Sequence, residues 1–163
     1  MNHGKIERTP MFEVQELREM IRCALGDMGP ILTRHNAENL LLGTCAQESL
    51  FGQWRHQIGG PAHGIMGIEE PTFNDIVERR HKKYPKILNY TFDELIYNDE
   101  ASISIARLKY LDSKLALPLP DDIRAMAKYW GKYYQGRSDP VKIAQWIKNY
   151  HRFVTNRERP AGN

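Results

Sequence analysis

Apolar residues recur three and four positions apart along most of this chain, and no segment shows the strict alternation of a half-buried strand. The first of these runs lines one helical face with five apolar side chains: Val14, Leu17, Ile21, Ala24 and Met28. Thr9-Pro10 precedes the run and Gly29-Pro30 follows it, as is typical of a helix start and a helix stop. The pattern predicts an amphipathic first helix between those two pairs.

Helix starts recur further along the chain. Two residue pairs have the spacing of reciprocal capping boxes: Thr72 with Asp75, and Thr91 with Glu94. The first pair predicts a basic helix that runs towards Lys83, and the second predicts a short helix over residues 92–97. We expect both to be surface helices of a mainly helical protein.

Two longer helices are predicted over residues 100–115 and 122–134, with Pro118 and Pro120 between them. Asp139-Pro140 would start a last helix. One face of that helix is predicted to carry Val141, Ala144, Ile147 and either Tyr150 or His151. The polar segment from about residue 155 onwards is expected to fray.

Composition supports one ordinary domain that spans residues 1–163, because 163 residues with 41% hydrophobic content can bury a real core. The formal charge of +3 is too small and too scattered to indicate nucleic acid as a partner. No apolar run reaches the roughly 18 residues of a membrane span, and no signal-peptide pattern opens the sequence. We therefore expect neither nucleic acid nor a membrane as a partner.

An acid stands at the end of the second predicted helix, which would begin at Asn36 as its N-cap and end at Gly52. Glu48 falls on the apolar face of that helix, together with three earlier residues: Leu41, Thr44 and Cys45. Burial disfavours a carboxylate and raises its pKa, as a general acid requires. The alternative is that Glu48 only caps the helix or pairs with a neighbour such as Arg55.

Several segments resemble one family, the lysozyme-like lytic transglycosylases and goose-type lysozymes, and especially their phage-encoded branch. The most specific segment is "AQES", followed after a polar loop by "GIMGI". "LLLGTCAQES", "HQIGGPAHGI" and "EEPTFNDI" resemble the phage branch, and "SISIARLKYL" and "AMAKYWGKYYQG" resemble later helices of the family. The resemblance covers roughly residues 40–136. It implies a single lysozyme-like domain, mainly α, with a glycine-rich active-site loop.

The resemblance implies roles for particular residues. Glu48 matches the catalytic acid, and Tyr129 matches the tyrosine that faces it, although Tyr129 is alternatively a packed aromatic. Ser49 matches a neighbour that bonds within the site. The remaining substrate-binding candidates are Trp54, Gln57, Gly64, Ile65, Met66, Glu69 and Trp130. Of these, Trp54 and Gln57 come from their place in the loop after the acid, and Trp130 is alternatively a core residue.

Further positions bear on the chemistry. Gly67 stands where the family usually has Gln, so one amide contact to the saccharide is expected to be missing or replaced. Glu69 and Glu70 are the nearest candidates for a second catalytic carboxylate, and Glu69 is alternatively a favourable charge before a helix N-terminus. Arg107 interrupts an apolar helix and is a candidate anchor for a buried carboxylate.

The family's reaction is cleavage of the bond between N-acetylmuramic acid and N-acetylglucosamine in peptidoglycan, without metal or cofactor. His56 and His63 lack the spacing of a metal site. The resemblance implies a phage virion-associated transglycosylase that acts on the periplasmic cell wall, with peptidoglycan and phage tail proteins as partners. A hydrolytic muramidase of the endolysin type and a non-catalytic phage structural protein are the alternatives.

Overall fold

The computed structural model describes residues 8–57 and 59–158, and six α-helices together with shorter helical segments form most of this part of the chain. They are α1 (Val14–Gly26), α2 (His35–Ser49), α3 (Glu70–Arg80), α4 (Asp99–Leu111), α5 (Ile123–Trp130) and α6 (Pro140–Tyr150). The described residues form no strand, only two isolated backbone bridges after α2. The prediction of a mainly helical single domain is confirmed.

Shorter helical segments connect or extend these helices. Two 3-10 turns, Pro85–Asn89 and Asp93–Ile96, lie between α3 and α4. Helices α5 and α6 each continue into a wider π-type turn, Gly131–Gln135 and His151–Thr155, and Asn156–Glu158 adds a last α-helical turn. None of the described helices is long and apolar enough to span a membrane.

Helix α2 is the centre of the fold. Its residues 37–46 are buried on every side, and it packs against α1, α4, α5 and α6. Helix α6 comes so close that a Cβ atom at Gly43 would lie 2.2 Å from Cζ2 of Trp146. One continuous hydrophobic core therefore surrounds the helix that carries Glu48.

The first two helices do not begin where the sequence predicts. The hydroxyl of Thr9 donates to the carbonyl of Gly52 instead of capping α1, so the chain before Val14 is tied to the turn after α2. Helix α2 has Arg34 as its N-cap, and Asn36 lies inside it. It ends at Ser49, because Leu50 adopts a left-handed conformation.

One of the two predicted capping boxes is confirmed. The backbone N–H of Thr91 donates to Glu94 Oε1 at 2.6 Å, and the N–H of Glu94 donates to Thr91 Oγ1 at 3.3 Å. The box at Thr72 is wrong because α3 begins at residue 70, with Glu69 as its N-cap and a proline in its first turn. Helix α3 also ends at Arg80, before Lys83.

The later helices begin close to their predicted starts, and α4 ends earlier than predicted. Asn98, Asp122 and Asp139 cap α4, α5 and α6 through their side chains. Helix α4 ends at Leu111, four residues short of the predicted end at residue 115. The predicted face of α6 is correct only in part: Tyr150 is buried and Ile147 packs against the core, but Val141 and Ala144 are exposed. The prediction omits Trp146, which is buried, and Phe153 and Val154 are buried beyond the helix.

The polar segment from residue 155 remains helical as far as residue 158 and contacts the first helix. Glu158 accepts from Arg18 Nε at 2.7 Å, and Arg157 pairs with Glu13 at 3.3 Å. Residues 155–158 are therefore helical and anchored to α1 and its N-cap, and the expectation of a frayed end from residue 155 is wrong for them. The rest of the predicted tail lies outside the described residues.

Candidate active site

Glu48 lies at the point where the buried α2 meets an open cleft. It is the last but one residue of α2, and the chain turns sharply after it through positive φ angles at Leu50 (48°) and Phe51 (61°). The cleft has a volume of about 150 Å³. Its lining includes six residues whose contacts are described below: Glu48, Gln57, Gly67, Glu69, Lys109 and Tyr134.

The carboxyl of Glu48 has one hydrogen-bond donor, the indole Nε1 of Trp130, 3.2 Å from Oε1. Burial raises the pKa of Glu48 to about 7, although the Trp130 bond and the charge of Lys109 act to lower it. The expectation of a raised pKa is therefore confirmed. The alternative of a Glu48–Arg55 pair is wrong, because Arg55 Nη2 binds Asp99 Oδ2 at 3.2 Å.

Gly67 packs directly against this carboxyl. Its φ is +61°, and a Cβ atom at this position would lie 2.7 Å from Glu48 Oε2. Any larger residue would need both a strained backbone and a displaced carboxyl. The glycine that departs from the family's usual glutamine thus makes room for the acid.

The segment before Gly67 is structural. Ile65 and Met66 are fully buried, and Gly64 is buried against the backbone carbonyl of Leu95. The carbonyl of Met66 accepts from the hydroxyl of Tyr134. The expectation that Gly64, Ile65 and Met66 contact a saccharide directly is wrong, since these residues place Gly67 and Tyr134 at the cleft instead.

Ser49 is also structural. Its buried hydroxyl donates to the carbonyl of Cys45 at 3.0 Å and accepts from the N–H of Gly52 at 2.9 Å. This pair of bonds stabilises the turn after the acid, so the expected contact between Ser49 and substrate is wrong. Trp54 is partly exposed but does not line the cleft, and its ring lies 5.5 Å from the guanidinium carbon of Arg8.

Trp130 makes the contact with Glu48 that the family resemblance implies for Tyr129. Trp130 is only 1% exposed, so it serves Glu48 through its N–H and does not contact a ligand. The hydroxyl of Tyr129 bonds to Ser113, and it lies 3.4 Å from the carbonyl of Leu115. Adjacent residues of an α-helix point about 100° apart, which turns Tyr129 away from Glu48. Tyr134 is the tyrosine at the cleft.

Gln57 and Glu69 do line the cleft, in agreement with their expected positions. Gln57 Oε1 accepts from the N–H of Ala62 at 3.1 Å, which holds the loop that carries it. Glu69 is the N-cap residue of α3, as one interpretation expects, and it also lines the cleft, while its part in catalysis stays a prediction.

Lys109 is the cleft residue that the sequence analysis misses. Its ammonium lies 4.1 Å from the ring centre of Tyr134, and burial lowers its pKa while the charges of Glu48 and Glu69 oppose this. The sequence signal was present, since Lys109 interrupts the apolar run of α4 two residues after Arg107. The cleft therefore holds two acids and one amine.

No family model, curated protein or solved structure matches this chain. The assignment of function consequently rests on two supports. One is the short sequence segments that resemble the lysozyme-like family, and the other is the arrangement of ionisable groups in the cleft.

Proposed function

We propose that this chain is a lysozyme-like, peptidoglycan-degrading enzyme that cleaves the MurNAc-GlcNAc glycosidic bond with Glu48 as general acid. The observation that carries the proposal is a carboxyl group in an open cleft whose pKa is raised to about 7. About half of such a group is protonated at neutral pH, and catalysis is most efficient when the pKa of the acid is near the working pH.

The residues around Glu48 fit both halves of the reaction. Glu48 gives its proton to the glycosidic oxygen, and the resulting carboxylate keeps its bond from Trp130. That carboxylate can then take a proton from the attacking hydroxyl. In a transglycosylase the attacking group is the muramyl 6-hydroxyl, and the product carries an anhydro ring. Lys109 supplies positive charge beside the carboxylate at this stage.

A hydrolytic muramidase is the second candidate, and the position of Glu69 favours it. Most glycoside hydrolases use a second carboxylate that activates water or forms a covalent intermediate. Glu69 is exposed in the same cleft as Glu48. In both versions the enzyme acts on the bacterial cell wall, and we propose a phage virion component or an endolysin as its setting.

The alternative of a non-catalytic structural protein was supported by the replacement of the family's usual Gln by Gly67, and the position of Gly67 weakens that support. A structural protein would have no reason to keep a carboxyl in an apolar setting, where its ionisation is costly. Gly67 instead leaves space for the carboxyl of Glu48. We therefore treat the glycine as part of a working site.

Mass spectrometry of the soluble products from purified sacculi tests the proposal. The wild type is compared with Glu48→Gln and with Glu78→Gln, a matched control at an exposed position of α3. We expect Glu48→Gln to lower product release by about 100 to 10,000-fold, because the amide cannot donate the proton. Glu78→Gln should digest sacculi at the wild-type rate.

The products distinguish the candidates. Anhydromuropeptides indicate the transglycosylase, and reducing muropeptides indicate the muramidase. Absence of any release by the folded wild type, or release by Glu48→Gln within a fewfold of wild type, contradicts the proposal.

A further inference from the structure

A second cavity, of about 160 Å³, lies beside the start of α2 and the end of α4. It shares no lining residue with the Glu48 cleft. The residues that matter for its chemistry are Ile31, Arg34, Asn36, Arg107, Leu111 and Leu115. Two of them are cationic, and no acid lines the cavity within the described chain.

Arg107 is the unusual member of this set. It is only 4% exposed, and its Nε donates to the carbonyl of Leu32 at 3.1 Å. Its Nη1 is buried and has no hydrogen-bond partner among the described residues. The expectation that Arg107 anchors a carboxylate of this chain is wrong for residues 8–57 and 59–158, where no acid pairs with it.

A buried guanidinium with an unused donor is costly unless an acceptor reaches it. Burial lowers the pKa of Arg107, but an arginine stays protonated in proteins. The described residues supply no acceptor for Nη1, and Arg107 lines the cavity, so an anion bound in the cavity would lie beside the Arg107 side chain.

The start of α2 adds a second source of positive potential at the same cavity. Arg34 is the N-cap residue, and no side chain caps the helix. The first N–H groups of this 15-residue helix lack helical partners, and Asn36 of the first turn lines the cavity. The N-terminus of a helix and an arginine both favour an anion.

The rest of the wall is apolar and partly open to solvent. Ile31 is 64% exposed and Leu115 is 59% exposed, and both stand beside the cationic groups. An inorganic anion would leave these side chains in water. An organic anion with an aliphatic part would cover them and gain from their burial.

We propose that this cavity binds a small carboxylate with a short aliphatic group, held by Arg107 and Arg34 at its charged end and by Ile31 and Leu115 at its apolar end. This site is separate from the glycan cleft and does not depend on the proposed function.

Calorimetric titration of the full chain at constant ionic strength tests the site. The probes are sodium butyrate, n-butanol as its neutral counterpart, and sodium phosphate as an anion without an apolar part. We expect butyrate to bind in a 1:1 ratio, at least tenfold more tightly than either of the other two. Equal binding of butanol, or equal binding of phosphate, would overturn the proposed ligand class, and no binding of butyrate would overturn the site.

Variants locate the binding. Arg107→Met should weaken butyrate binding at least tenfold, since hydrogen bonds to a charged group are among the stronger ones. Arg34 is exposed, so Arg34→Gln keeps the fold testable even where Arg107→Met does not fold, and it should weaken binding about threefold. Glu48→Gln should bind butyrate as the wild type does. Wild-type affinity in Arg34→Gln, or loss of binding in Glu48→Gln, would contradict the assignment.

Discussion

Helix α2 carries two glutamates, ten residues apart, and the hydrogen-bond donors around them differ in charge. Glu38 accepts from Arg18 at 2.8 Å and from Arg22 at 2.9 Å, and these bonds lower its pKa although burial acts to raise it. Among the described residues the hydrogen-bond donor to Glu48 is a neutral indole, and burial raises its pKa to about 7, although the charge of Lys109 acts to lower it. The same side chain thus has a lowered pKa where guanidinium groups bond to it and a raised pKa where its bonded donor is neutral.

The largest effect on stability is expected at Glu38. Glu38→Gln replaces the anionic acceptor that Arg18 and Arg22 share with a neutral one, while Arg18 keeps its bond to Glu158. We expect a loss of about 2 to 4 kcal/mol in the free energy of unfolding. Urea unfolding at pH 7.5 measures it. Glu48→Gln is the matched control and should be as stable as the wild type or more stable. Equal losses in the two variants would show that compensation does not separate the two glutamates.

A pH series sharpens the same contrast. The pKa of Glu48 is above its ordinary value of 4.5, so the protonated form favours the folded state. The stability of the wild type relative to Glu48→Gln should be highest below pH 4.5, fall between pH 4.5 and 7, and stay constant above that. At about 1.36 kcal/mol for each pH unit, the fall is at most about 3 kcal/mol. A relative stability that rises over this range contradicts the burial argument.

The bond from Trp130 should be visible in the pH dependence of activity. Trp130→Phe removes the N–H donor to the carboxylate, so the pKa of Glu48 should rise by roughly one unit. The alkaline limb of the rate profile would then move to higher pH. Trp146→Phe is the matched control, because the buried Nε1 of Trp146 has no partner within the described chain. The same displacement in both variants would rule out a specific role for the Trp130 bond.

The smallest effect is expected at Tyr129. Its hydroxyl bonds to Ser113, away from the acid, so Tyr129→Phe should keep activity within about twofold of the wild type and lower stability only slightly. Initial rates of sacculus digestion measure this. A tenfold loss of activity with an unchanged melting temperature would restore the role that the family resemblance implies for this tyrosine.

Local sequence patterns predicted the helices well and their ends less well. The capping box at Thr91 and the Asp139 cap depend on neighbouring residues alone, and both are present. The buried face of α6 was also readable, although the prediction started it at the wrong residue. Ile143, Trp146, Ile147 and Tyr150 recur three and four positions apart and pack against the core, whereas Val141 is exposed.

Part of the candidate site could be predicted from the sequence, and part of it could not. The position of Glu48 on the buried face of α2 was readable from helical spacing, and its raised pKa follows from it. Lys109 was visible only as a charge within the apolar run of α4, and its place in the cleft was not readable. The contact of Glu48 with Trp130 instead of Tyr129 was not readable either. They depend on how α4 and α5 are rotated against α2, which is a property of tertiary packing.

The central claim is that Glu48 holds a proton near neutral pH at the wall of the cleft. Carboxyl-detected NMR titration of the full chain, with the Glu48 signal assigned by its absence in Glu48→Gln, measures this directly. We predict that the carboxyl of Glu48 titrates with a midpoint at about pH 7, well above the titration midpoint of the Glu38 carboxyl. A Glu48 midpoint at or below 4.5 would contradict it.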